Sequence, residues 1–180
     1  MGSDDLVRVG SYLSVLVVMA TWELLAPRRK QTASKLCRWG GNLTIVILNT
    51  VIARLLVAGG IVAAAAMAQE RGWGLFNWVD WPDWLEFGLA LVALDLVIYW
   101  QHQAFHLVPV LWRFHMMHHS DLDLDVSSGV RFHPVEVVIS LAVKGAAVLA
   151  LGVAPLAVVV FEIVLNSTAL FNHSNVRMPL

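Results

Sequence analysis

Three apolar runs, from about residue 6 to 26, 42 to 68 and 84 to 108, dominate the first two thirds of the chain. Each is long enough to cross a bilayer, which takes ~20 mostly apolar residues in a helix. Such runs leave few alternatives. Every backbone N–H and C=O inside hydrocarbon must be bonded within the protein, and a helix does this by itself. A fourth apolar region, from 135 to 171, is interrupted by Gly152 and Pro155. Its two arms are each slightly short for a full crossing at ~1.5 Å per residue, so a helical hairpin turning near Gly152 is expected. Composition agrees: 58% of the 180 residues are hydrophobic, only 14% are charged, and mean hydropathy is +0.70, too apolar for an ordinary soluble domain. The expected fold is an all-α integral membrane helical bundle of three spans plus a hairpin.

Charge sets the orientation. Arg28, Arg29, Lys30, Lys35 and Arg38 crowd the first loop, whereas residues 69–83 hold only Arg71, so the first loop is expected to be cytoplasmic. Counting crossings returns the chain to the cytoplasm after the third span. Trp73, Trp78, Trp81 and Trp84 fall in the opposite loop, where indoles favour the headgroup level. The first run follows Asp4 and Asp5 rather than a basic stretch and is read as a retained anchor. Net charge is −1, with no basic stripe interleaved with aromatics, which argues against a nucleic-acid partner. The single cysteine, Cys37, has no thiol to pair with. Lys144 and Glu162 come out at similar depth and are expected to neutralise each other inside the membrane, while Arg54 and Asp95, also at similar depth, either pair in the same way or leave Asp95 to orient an imidazole through an intervening group. The Gly59-Gly60 pair and the alanines after it suit close helix packing.

The chemistry lies in the histidines. His102 and His106 are four residues apart at the end of the third span, and His115, His118 and His119 follow, making five within 18 positions. Residues three and four apart share a helix face. A lone histidine there would usually be a hydrogen-bonded core residue, but five at this spacing favour metal ligation. Imidazole suits iron, zinc, copper and nickel alike, and five clustered donors exceed the usual set of one open catalytic ion.

The order of these pieces resembles the fatty acid hydroxylase and sterol desaturase superfamily. Its boxes H-x-x-x-H and H-x-x-H-H match His102 to His106 and His115 to His119, with Leu111, Trp112 and Arg113 before the second. Its R-x-H-P-x-E segment matches Arg131, His133, Pro134 and Glu136, and its N-H-S-N stretch matches Asn172, His173, Ser174 and Asn175. Its upstream Asp and Tyr match Asp95 and Tyr99, so the likeness covers roughly residues 90 to 180. Gln103 stands where an arginine often follows the first histidine.

The resemblance implies two iron ions at the cytoplasmic face, dioxygen, an external electron donor, and hydroxylation or desaturation of a lipid C–H bond. The substrate would be a sterol, fatty acyl chain, carotenoid or ether lipid. His102, His106, His115, His118 and His119 carry over as ligands, as does His173. His133 carries over as a ligand or, equally, as a cap before Pro134. Asp95, two helical turns before His102, and Tyr99 would lie behind the ligands, Asp95 orienting an imidazole. On this reading residues 1–83 form an amino-terminal transmembrane region and 84–180 the histidine-box region. The family's third box, again H-x-x-H-H, is not reached before Leu180. The metal cage of this chain is therefore expected to be incomplete, and the chain itself poorly active or an inactive fragment. Two rivals need no such family: a bis-histidine haem protein, which adjacent His118 and His119 suit poorly, and a divalent-metal carrier, whose ligands should sit near mid-membrane.

Overall fold

The structure is a computed structural model and describes residues 2–57 and 60–178. Among these residues the chain is built from helices, without a strand. Seven α-helices follow in order: α1 (Ser3–Leu25), α2 (Lys35–Leu56), α3 (Gly60–Glu70), α4 (Asp83–Leu107), α5 (Pro109–His115), α6 (Pro134–Leu151) and α7 (Pro155–His173). Four stretches are long and apolar enough to cross a membrane: α1, residues 35–78, α6 and α7. α4 has 25 residues, about 37 Å of helix, with three acidic groups and the polar Gln101, His102, Gln103 and His106 along it. Val17, Val18, Ile47 and Leu55 are more than half exposed, an apolar surface that lipid covers and water would not tolerate.

The expected second span is two helices. α2 ends where Val57 turns extended, and α3 starts at Gly60 with φ +71°, a left-handed backbone that a side chain resists. Gly59 lies outside the described residues. A Cβ on Gly60 would meet nothing within 4 Å, so close helix packing does not explain that glycine.

The expected hairpin is present. Gly152 caps α6 with φ +71° and ψ 40°, and Pro155 opens α7, where its missing N–H costs nothing. The turn is locked from outside. A Cβ on Gly74 would lie 2.1 Å from the Gly152 nitrogen, and one on Gly152 would lie 2.4 Å from the Trp73 carbonyl oxygen. Trp73, Trp78 and Trp84 are exposed at this end, as an interfacial belt requires, while Trp81 packs edge-on against buried Phe76.

The core lies between α3, α4, α6 and α7, where Ala65, Leu94, Val148, Ala157 and Val158 are fully buried. Lys144 on α6 pairs with Glu162 on α7, as expected, and Arg8 of α1 reaches the other oxygen of the same carboxylate. Arg54 and Asp95 do not pair: both are exposed, and α2 packs chiefly against α6 rather than α4.

At the opposite end a polar cap closes the bundle. Arg38 of α2 bridges Asp121 at 2.9 Å and Asp125 at 2.7 Å. Asp123 accepts the backbone N–H groups of Thr32 and Ala33, both at 2.6 Å. Asp125 starts a buried 3-10 turn, Val126–Val130, through a reciprocal capping box with Ser128, and Asn42 donates to Ser127 at 2.9 Å. The first loop and the segment after α7 meet here, bridged at Pro27 and Val176.

Candidate metal centre

The histidines gather under this cap. α4 presents His102 and His106 from successive turns, with their Nε2 atoms 3.1 Å apart. Pro109 begins α5 and reverses the chain, which carries His115 and then His119 back over the end of α4. His115 and His119 also face each other through Nε2, at 3.1 Å. One ring nitrogen from each of these four residues fits within 4.8 Å of the others. His115 is fully buried at the bottom of the group, whereas His102, His106 and His119 are exposed.

His118 and His173 form a second group beside it. Their Nε2 atoms lie 2.9 Å apart, and the His118 ring is 5.3 Å from that of His115, centroid to centroid. Five histidines from one stretch and a sixth from the end of α7 therefore converge.

The outer nitrogens explain why Nε2 points inward. Glu136, buried in the first turn of α6, receives the His115 Nδ1–H at 2.8 Å. The Arg131 carbonyl receives that of His118 at 3.3 Å, and the Ala169 carbonyl that of His173 at 2.7 Å. A carbonyl oxygen only accepts, so each Nδ1 facing one must carry the proton. In a neutral ring this leaves Nε2 as a bare lone pair. Two such lone pairs 2.9 Å apart repel unless a cation lies between them.

His115 and His118 take a second proton with difficulty. Burial, helped by the neighbouring histidines, pushes His115 down to about 4 and His118 to about 3, and it lowers His119 as well. A metal ion fits. With metal–nitrogen bonds of ~2.0–2.1 Å, two ligands at 90–110° around one ion are separated by about 2.9–3.4 Å. Axial ligands on opposite sides of a haem iron would be about 4 Å apart at the same bond length, wider than any of the three pairs, and the porphyrin would need the space the other rings occupy. The cluster sits at one end of the helices, not at mid-membrane where a carrier would hold its ion.

The remaining expected site residues lie elsewhere. His133 caps α6, its Nδ1 accepting the Val135 N–H at 3.1 Å, and its ring packs on Phe114; it is not in the cluster, because Pro134 fixes the helix start and the ring is spent on it. Asp95 and Tyr99 are exposed, and among the described residues neither bonds a histidine. Asp95 is two turns below His102 on α4, so any influence on that imidazole passes through an intervening group. The carboxylate that does orient an imidazole is Glu136, and its signal was an acidic residue opening an otherwise apolar helix.

An all-helical fold with membrane-length apolar helices gathers six imidazoles at one end, four of them close enough to hold a metal ion together. The fatty acid hydroxylase family model matches residues 87–180, and the chain belongs to that family. It is 29% identical over 181 residues to the ornithine lipid hydroxylase OlsE of Rhizobium tropici, covering 93% of this chain and 52% of that protein. It is 48% identical over 44 residues to the fatty acid hydroxylase vlmA of Lecanicillium sp, covering 23% of this chain and 12% of that protein. The chain thus spans about half the length of OlsE. No solved structure matches it.

Proposed function

We propose that the chain carries the metal site of an iron-dependent membrane oxidoreductase that uses dioxygen to hydroxylate a lipid. The observation that carries this reading is the inward convergence of six Nε2 atoms, each pair at the spacing of adjacent ligands on one ion. His102, His106, His115 and His119 would hold one iron, and His118 and His173 would supply part of a second position. Iron held there supplies what no side chain can, activation of dioxygen for attack on an unactivated C–H bond.

The protein's own part is placement. Glu136 keeps the His115 ring in one tautomer and one orientation. Phe105, buried and 5.5 Å from the His115 ring, separates the site from an apolar groove of about 660 Å³ between α4, α5 and α6, lined among others by Leu96, Trp100, Leu111 and Val143. That groove faces lipid and would let an acyl chain approach from within the bilayer. Hydroxylation is favoured over desaturation because both relatives are named hydroxylases, and the substrate would be a membrane lipid with a long apolar chain. The basic first loop shares the histidine end of the bundle, where its Arg29 meets Asp123 and the Leu122 carbonyl, and its charge bias supports a cytoplasmic location for both. Electrons would come from an external donor.

The test is lipid analysis. Membranes from cells making the protein should contain lipid species with one added oxygen atom, absent when His115 is alanine. Iron-loaded protein that leaves lipid extracts unchanged under dioxygen and reductant would overturn the proposal.

A further inference from the structure

Glu23 lies near the end of α1, outside the family-matched residues 87–180, and it is one of the few buried charges of the amino-terminal half. A carboxylate in the last turn of an apolar helix is costly to bury, and Lys35 offsets it only loosely, at 3.7 Å. The compensation comes from backbone. Its Oε1 accepts the Val126 N–H at 2.7 Å and the Asn175 N–H at 2.8 Å.

Those two amides belong to the two supports of the His118 and His173 pair. Val126 begins the 3-10 turn that ends at Arg131, whose carbonyl orients His118. Asn175 is two residues beyond His173, in the segment that the first loop grips: Arg28 N–H donates to the Asn175 carbonyl at 3.0 Å, and Arg177 N–H donates to the Ala26 carbonyl at 2.8 Å. The Asn175 side chain completes the grip with both backbone groups of Arg29. Gly129 of the same turn lies against α7, where a Cβ would come within 2.8 Å of the Ala169 carbonyl oxygen and 3.4 Å of the His173 side chain. One carboxylate oxygen therefore joins the two segments whose separation fixes how far apart the His118 and His173 rings stand. Among the described residues, the other four imidazoles are held by α4, α5 and Glu136, with no bond to α1.

We propose that Glu23 is a positioning residue for the second metal position, setting the His118 to His173 spacing while leaving the four-histidine position unaffected. The proposal rests on the reading that these histidines bind metal. Charge-assisted hydrogen bonds are roughly twice as strong as neutral ones, so Glu23→Gln, which keeps a carbonyl acceptor, should act more mildly than Glu23→Ala.

The experiment is cobalt(II) titration of the purified chain in detergent micelles, read by the ligand-field absorption of the bound ion, alongside thermal unfolding of the metal-free protein. The wild-type chain should bind a first cobalt tightly and a second more weakly. Glu23→Ala should leave the first unchanged and weaken the second at least tenfold, and Glu23→Gln should weaken the second about threefold. If Glu23→Ala does not fold, the Glu23→Gln result decides alone. Equal loss at both positions in a folded variant would make Glu23 a general stabiliser and overturn the proposal, as would wild-type affinity at the second position. A wild-type chain that binds no cobalt would instead sink the metal reading beneath it.

Discussion

His115 shows how one residue's surroundings decide its chemistry. Buried among four other histidine rings and bonded to Glu136, it resists a second proton near neutral pH, which leaves its Nε2 open to a metal. Replacing Glu136 by alanine leaves a buried N–H unpaired, at a cost of ~1–3 kcal/mol, and frees the ring to turn. Metal affinity at the four-histidine position should fall ~10–100-fold, read by competition with a chromophoric chelator. The depressed His115 and His118 values also have a defined sign. Both lie below the ordinary 6.5, so the unfolded chain binds these protons first, and the stability they contribute is full above pH 6.5 and lost as pH falls towards 4 and then 3. Metal-free protein should therefore melt at lower temperature at pH 5 than at pH 7, and less of that drop should remain in a His115→Ala, His118→Ala double variant. An unchanged drop would mean that other groups carry it.

Among the elements, the α1, α6 and α7 packing turns on one carboxylate. Glu162 faces Lys144 and Arg8 together, so removing its charge leaves two half-buried cations without it, while removing Lys144 leaves Glu162 still paired with Arg8. Glu162→Gln should thus destabilise the bundle more than Lys144→Met, the former by ~3 kcal/mol or more, measured by unfolding in detergent. The reverse order would mean that Arg8 does not share the charge. The Lys144 partner was legible in the sequence because a hairpin pivoting at Gly152 puts the two at equal depth. Arg8 was not, since nothing in the spacing says which face of α1 meets α7. The break between α2 and α3 was similarly hidden: hydropathy runs straight through residues 42–68, and the break shows only in the backbone, extended at Val57 and left-handed at Gly60. The five clustered histidines were legible because helical spacing alone gathers them. Glu136 stood in a motif without a role until the chain reversal at Pro109 brought His115 to it, and His133, open between ligand and cap in the sequence, is seen capping α6. Asp95 and Tyr99 share the helix of His102 but, among the described residues, neither bonds a histidine directly.

On the scale of the whole molecule, the cap ties residues 23–42 to residues 121–131 and 174–177, so the amino-terminal helices and the histidine-bearing region fold as partners. The first loop and the histidine cluster therefore lie on one side of the membrane. Cys37, the chain's one cysteine and exposed, reports that side directly: an impermeant maleimide should reach it only from the cytoplasm, while Trp78→Cys in a Cys37→Ser background should be reached only from the opposite face. Labelling of both from the same side would contradict the topology. The central claim, that converging imidazoles hold iron, is tested by the iron retained after anaerobic loading with iron(II) and desalting, measured by elemental analysis. The wild-type chain should retain iron, and the His102→Ala, His115→Ala double variant, folded by its unfolding transition, should lose most of it. Equal retention by the two proteins, or none by the wild type, would contradict the account.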